Sequence, residues 1–128
     1  MIQKILILIM LSCCLSFANI NENKIISKAK LSNKQILVYA KSQECIYCKR
    51  MDKNVFSLKE VQNAIDKNYI FVKVDVFKEK LPFNLKKHYK KITPSFFILD
   101  KNGKYLNSVI GSWNKKDFLE IINENVNE

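Results

Sequence analysis

The chain has 128 residues, 48% of them hydrophobic and 11% aromatic, and contains neither repeats nor low-complexity runs. This composition is typical of one soluble globular domain. The 22 basic and 12 acidic residues give a formal net charge of +10. Nucleic-acid-binding proteins usually cluster their charge and use arginine. Here Arg50 is the only arginine and the lysines are spread along the chain, which argues against a nucleic-acid partner.

Residues 1–18 have the pattern of a cleaved export signal. They carry one positive charge near the start, an unbroken apolar run at residues 5–11 and small residues up to Ala18. A membrane anchor fits less well, because the apolar run is shorter than the ~20 residues that a spanning helix needs. Cys13 and Cys14 loosely resemble a lipoprotein cleavage box, which leaves a lipid anchor as an alternative. We expect cleavage near Ala18 and export.

Cleavage at this point would leave Cys45 and Cys48 as the only cysteines. A structural staple is a poor interpretation of this pair, because so short a loop hardly constrains the unfolded chain. A structural zinc site would need two further ligands, and His88 is the only histidine. We therefore expect neither a metal nor another cofactor, and we interpret His88 as an exposed helical residue.

The first predicted elements position the cysteine pair. Residues 19–33 are polar and predict an N-terminal extension with a short helix, because Ile25, Ile26, Ala29 and Leu31 lie at roughly helical spacing. Residues 35–40 predict a strand, and its apolar run Ile36-Leu37-Val38 is typical of a strand that is buried on both faces of a sheet. The segment after Cys48 predicts a helix, so the pair would lie at a helix N-terminus. Free N–H groups and the helix dipole there favour a thiolate, the form that attacks disulfides, and lower a cysteine pKa from about 8.5.

The rest of the chain predicts two helices, a further short helix that begins at Pro82, and three strands. Ser57 and Glu60 form a capping box for a helix at residues 58–67. The strands are expected at residues 69–76, 95–99 and 104–110. A turn sequence joins the last two as a hairpin, and Asn114 can cap the final helix. A strand, helices and a strand in this order make a βαβ unit with parallel strands.

This order of elements resembles the thioredoxin fold, over about residues 34–124 of a domain that we place at residues 34–128. The residues that carry the resemblance are Cys45-Ile46-Tyr47-Cys48-Lys49-Arg50-Met51, Val72-Lys73-Val74-Asp75 and Thr93-Pro94-Ser95-Phe96. They are similar to exported bacterial thioredoxin-related proteins, which include the sulfur-oxidation thioredoxins and the carboxy-terminal domain of the thiol-disulfide interchange reductases. The resemblance implies an α/β fold with a central mixed sheet of about four strands flanked by helices.

The resemblance also implies the roles of the site residues. Cys45 would be the exposed nucleophile that forms a mixed disulfide with the substrate, and Cys48 would resolve that intermediate. The Thr93-Pro94 bond would be cis and would place the Thr93 backbone where an extended substrate segment can pair with it.

The residues around the cysteines would tune the reaction. Ile46 and Tyr47 would form an apolar rim that contacts the substrate. Tyr39 occupies the position at which thioredoxins hold a buried Asp, and a phenol is a poor base at neutral pH. Glu44 replaces the usual Trp, and its carboxylate should raise the pKa of the neighbouring cysteine, whereas Lys49 should lower it.

From this resemblance we expect a periplasmic thiol-disulfide oxidoreductase that reduces or isomerises protein disulfides. Its partners would be disulfide-containing exported proteins and, as electron donor, a membrane thiol transporter. We expect a monomer. The alternative is a non-catalytic adaptor of the same fold that binds peptides or metals, although an adaptor has no need of both thiols.

Overall fold

The computed structural model describes residues 19–126, so the predicted export signal and the two cysteines within it lie outside the described residues. The elements are α1 (Glu22–Ser32), β1 (Gln35–Lys41), α2 (Ile46–Met51), a π-helical turn (Asp52–Phe56), α3 (Lys59–Asn68), β2 (Tyr69–Asp75), a 3₁₀ turn (Leu85–Lys87), β3 (Ser95–Leu99), β4 (Tyr105–Ile110) and α4 (Lys115–Glu124). None of the helices between residues 19 and 126 is long and apolar enough to cross a lipid bilayer.

The four strands form one mixed sheet in the order β2-β1-β3-β4. β1 is parallel to β2, as the βαβ pattern predicts, and antiparallel to β3. β3 and β4 form the predicted antiparallel hairpin. The expected α/β class and mixed four-stranded sheet are therefore confirmed.

β1 lies between two hydrophobic clusters, one on each face of the sheet. Leu37 and Tyr39 point to the face that α2, α3 and α4 cover. Ile36 and Val38 point to the opposite face, where α1 contributes Ala29. Residues 36–40 are all fully buried, which is why this strand reads as an unbroken apolar run rather than an alternating one.

The predicted capping box is wrong. The Ser57 hydroxyl donates to the carbonyl of Lys53, and α3 begins after Leu58 without a side-chain cap. The π-helical turn explains the difference, because it extends the preceding helix until Ser57 forms its C-cap in a helical conformation. An N-cap residue needs an extended backbone, so this serine is not available to Glu60.

The predicted cap of the final helix is present. The Asn114 side-chain oxygen accepts the N–H of Asp117 at 2.9 Å, and the helix then places Phe118 and Ile122 in the core. Asn114→Ala should lower the free energy of unfolding by about 1 kcal/mol, because one helix N–H loses its acceptor. Urea unfolding measures this change.

The matched control is Asn123→Ala, an exposed asparagine inside the same helix. This substitution should leave the free energy of unfolding within about 0.5 kcal/mol of the original. Equal losses in the two variants would contradict the capping role.

Candidate active site

Cys45 and Cys48 form a disulfide at the first turn of α2. Cys45 is partly buried and acts as the N-cap of the helix, whereas the Cys48 side chain is fully buried. The backbone N–H of Cys48 points at the Cys45 sulfur, with 3.1 Å between nitrogen and Sγ. A thiolate at Cys45 would thus accept a backbone hydrogen bond at the positive end of the helix dipole.

The loop that precedes β3 lies next to the disulfide. The Thr93-Pro94 peptide bond is cis, and the Thr93 carbonyl oxygen lies 3.4 Å from the Cys45 Sγ. The N–H of Gly111 donates to the Pro94 carbonyl at 2.9 Å, and the Ser95 hydroxyl donates to the carbonyl of Ile92. These bonds hold the Thr93 backbone beside the more accessible of the two sulfurs.

Large apolar side chains surround the exposed side of the disulfide. Ile46 is 66% exposed and Tyr47 is 53% exposed, and the Arg50 guanidinium lies 5.4 Å from the centre of the Tyr47 ring. Ile92, next to Thr93 in the chain, is 49% exposed. The sequence predicts the first two as a substrate rim, and the structure adds Ile92, which no sequence motif marked.

A second group of side chains lies under the same helical turn. The Tyr39 hydroxyl lies 3.2 Å from the Cys48 carbonyl oxygen and 3.2 Å from Oδ1 of Asp52, to which it donates. Lys41 forms an ion pair with Asp52 and also lies 5.4 Å from the Tyr39 ring centre. Burial above all, and then the Asp52 carboxylate, raises the pKa of Tyr39 well beyond its usual range. Tyr39 is therefore a hydrogen-bond donor at neutral pH and cannot act as the base.

The sequence reasoning missed Asp52 and Lys41. A signal was available, because Asp52 follows Cys48 by four residues and such residues share a helix face. Lys41 follows Tyr39 by two residues, and such residues share a face of a strand. What connects the two elements is a set of contacts between β1 and α2, which no local pattern specifies.

Glu44 and Lys49 flank the pair with exposed side chains. Their charges face solvent, which screens them, and their effect on Cys45 stays a prediction. His88 differs from its prediction: it is half-buried beyond the 3₁₀ turn, and its ring stacks on Tyr105 with 3.7 Å between ring centres. Within residues 19–126, no group of three or more Asp, Glu, His or Cys side chains is close enough to hold a metal ion.

A family model for a thioredoxin-like domain matches residues 22–125. The chain belongs to this thioredoxin-like family. The matched region begins with α1, earlier than the start of the resemblance at about residue 34. No curated protein matches the chain at a significant level.

Solved structures agree with the family. A thioredoxin from Thermus thermophilus superposes with a TM-score of 0.69 at 20% identity, over 85% of this chain and 86% of that one. The oxidised C-terminal domain of DsbD from Neisseria meningitidis gives a TM-score of 0.64 at 20% identity, over 81% and 91%. Its reduced form gives 0.65 at 18% identity, over 84% and 99%. The fold and the Cys-x-x-Cys pair together indicate thiol–disulfide redox activity.

The two sulfurs should differ in reactivity once the disulfide is reduced. Iodoacetamide should modify Cys45 faster than Cys48 by about tenfold or more, because Cys48 is buried and each unit of pKa changes the thiolate fraction about tenfold. Mass spectrometry of the labelled peptides measures both rates. In denaturant the two rates should become similar. Equal rates in the folded protein would contradict the asymmetry.

Proposed function

We propose that the protein is a periplasmic thiol-disulfide oxidoreductase that reduces or isomerises the disulfides of exported proteins. The observation that carries this proposal is the difference between the two cysteines. Cys45 is partly accessible and receives a backbone N–H, whereas Cys48 lies fully buried behind it. A structural disulfide does not require its two cysteines to differ in accessibility. A redox pair does, because one cysteine must reach the substrate and the other must then release it.

The reaction proceeds in two exchanges. The Cys45 thiolate attacks one sulfur of the substrate disulfide, forms a mixed disulfide and releases the other substrate sulfur as a thiolate. Cys48 then attacks the Cys45 sulfur, and the second substrate sulfur leaves. Two electrons have passed to the substrate, and the Cys45–Cys48 disulfide of the structure has formed. In isomerisation, before Cys48 acts, the released substrate thiolate attacks another disulfide of its own chain. The thiolate displaced there attacks the mixed disulfide, which forms a new substrate disulfide and restores the Cys45 thiolate.

The rim and the Thr93 backbone form the substrate site. Ile46, Tyr47 and Ile92 offer apolar contact area, which exposed side chains next to a reactive group can supply to a partner. An extended substrate segment that pairs with the Thr93 backbone would bring its disulfide to the Cys45 sulfur, which lies 3.4 Å from the Thr93 carbonyl.

A protein that reduces disulfides in the proposed compartment would need an electron donor. The export pattern of residues 1–18 supports the periplasm, which is an oxidising compartment. A protein that reduces disulfides there must be reduced again after each turnover. A membrane thiol transporter is the donor that we propose, with the protein acting as a monomer and more as a reductant or isomerase than as a primary oxidant.

Serine substitutions test the two roles separately. Cys45→Ser should lower the reduction of a disulfide-bonded reporter such as insulin to the rate without protein, because no thiol starts the exchange. Cys48→Ser should accumulate a covalent mixed disulfide with the reporter, visible on a non-reducing gel.

The matched control is Asp66→Asn, at an exposed position of α3, which should leave turnover unchanged. Wild-type turnover in either active-site variant would show that the roles are assigned wrongly. Thiols that react only after a chelator is added would instead indicate a metal-binding adaptor.

A further inference from the structure

We propose that a lysine-rimmed cavity near the redox pair binds a second part of the substrate, namely a bulky apolar side chain with carboxylates next to it. The cavity lies between the end of β2 and the segment that leads into β3. The inference rests on the proposed function, and it names the class of disulfide-bearing segment that the site prefers.

The wall of the cavity is apolar and is fixed by the core. The cavity has a volume of about 440 Å³, which falls within the range of ligand-binding cavities. Its apolar lining consists of Val76, Leu81 and Tyr89. All three pack against the hydrophobic cluster on the α1 face of the sheet. A space with such a lining favours an apolar side chain.

The cavity lies at the same edge of the sheet as the disulfide. β1 and β2 are parallel, and Lys41 is in register with Asp75 at their carboxyl ends. The N–H of Val76 donates to the carbonyl of Lys41 at 3.0 Å. One wall of the cavity is therefore bonded to the strand end from which the cysteine loop leaves.

Lys91 connects the cavity to the Thr93 backbone. It lines the cavity and precedes Thr93 by two residues, which span at most about 7 Å of chain. The exposed Ile92 of the substrate rim lies between them. An extended segment that pairs with Thr93 rises about 3.3 Å per residue. A side chain about three to five residues from the reacting cysteine would thus reach the cavity, so a peptide is the occupant that this position favours.

The charges around the cavity are mostly positive and unpaired. Residues 76–91 contain six lysines, all exposed, and a single acidic residue, Glu79. Within residues 19–126, none of these lysines forms an ion pair. The Glu79 carboxylate accepts the backbone N–H of Asp75. The lysines that line the cavity are Lys80, Lys86 and Lys91. Carboxylates of a bound segment would therefore meet free cations.

The Tyr89 hydroxyl adds a hydrogen-bond donor to the apolar wall. The Tyr89 ring packs edge-on against Phe97 with 6.5 Å between ring centres. Its hydroxyl makes no hydrogen bond to any other part of the described chain. Burial raises the pKa of Tyr89, so the hydroxyl stays protonated at neutral pH. A carboxylate next to the bound apolar side chain would supply the acceptor that this hydroxyl lacks.

Three peptides with an internal disulfide test the preference. The first carries Glu-Leu-Glu about three to five residues from each cysteine, on both sides. The second has Gln in place of Glu, and the third has Ser in place of Leu. The full-length protein reduces each peptide with dithiothreitol as donor, and chromatography of the products gives KM and kcat. The rate of Cys45→Ser is subtracted, because it measures reduction by dithiothreitol and by any other thiol.

The acidic peptide should have a KM about fivefold lower than the glutamine peptide, because each exposed charge pair changes affinity up to about fivefold. Its KM should be about tenfold lower than that of the serine peptide, which buries no leucine. The kcat values should agree within about twofold, because the cavity binds the substrate and its transition state equally.

Substitutions in the cavity should remove each preference separately. Lys86→Gln combined with Lys91→Gln should abolish the advantage over the glutamine peptide. Leu81→Gln should abolish the advantage over the serine peptide, and Tyr89→Phe should cause a smaller loss of the first advantage. In every variant, an unchanged kcat for the glutamine peptide shows that the protein is folded.

The matched control is Lys30→Gln combined with Lys67→Gln. It removes two exposed lysines near the ends of α1 and α3, at the opposite edge of the sheet. Both preferences should remain in this variant, although its net charge falls by the same amount. Added salt should weaken the preference for glutamate and leave that for leucine.

Three results would overturn the proposal: no preference among the peptides, a preference that the cavity variants retain, or equal losses in the two double-lysine variants. Binding of dodecanoate to Leu81 and Tyr89 in nuclear magnetic resonance spectra, without a peptide preference, would assign the cavity to a lipid instead. A wild type that reduces none of the peptides faster than Cys45→Ser would overturn the proposed function.

Discussion

The burial of β1 on both faces is the constraint on which the site depends. The strand is bonded to β2 on one side and to β3 on the other, and residues 36–40 have no solvent exposure. A shift of this strand would break its hydrogen bonds to both neighbours and would move Gln35 or Lys41 toward the apolar clusters. The loop between β1 and α2 therefore holds the cysteine pair in a fixed position. The Tyr39 hydroxyl supports the helical turn that carries Cys48.

The same constraint makes the two sulfurs unequal. Cys45 lies at the helix start, next to the Thr93 carbonyl and the exposed rim. Cys48 is one turn further on, inside the cluster that Tyr39 and Met51 share. One position favours a reactive thiolate and the other protects the second thiol from solvent. This placement favours an exchange that begins at Cys45, and the Tyr39–Asp52 contact lies under the turn that carries the protected thiol.

Sequence reasoning succeeded where the pattern is local or where the motif is a short one. The run at residues 36–38 indicated a strand covered on both faces, as the structure shows, and the spacing of Cys45 and Cys48 marked the pair that forms the disulfide. It failed at Ser57, because a capping signature does not reveal a π-helical turn that displaces the helix start. The contacts of Asp52 with Tyr39 and Lys41 could not be predicted either, since they join a helix to a strand.

The central claim is that Cys45 and Cys48 form a reversible redox couple. Equilibration of the purified protein in glutathione buffers, followed by alkylation of the free thiols, measures the reduction potential of the pair directly. We predict a single two-electron transition between about −270 and −120 mV, the range of redox-active members of this fold. A midpoint below about −300 mV, which is typical of structural disulfides, would contradict the account.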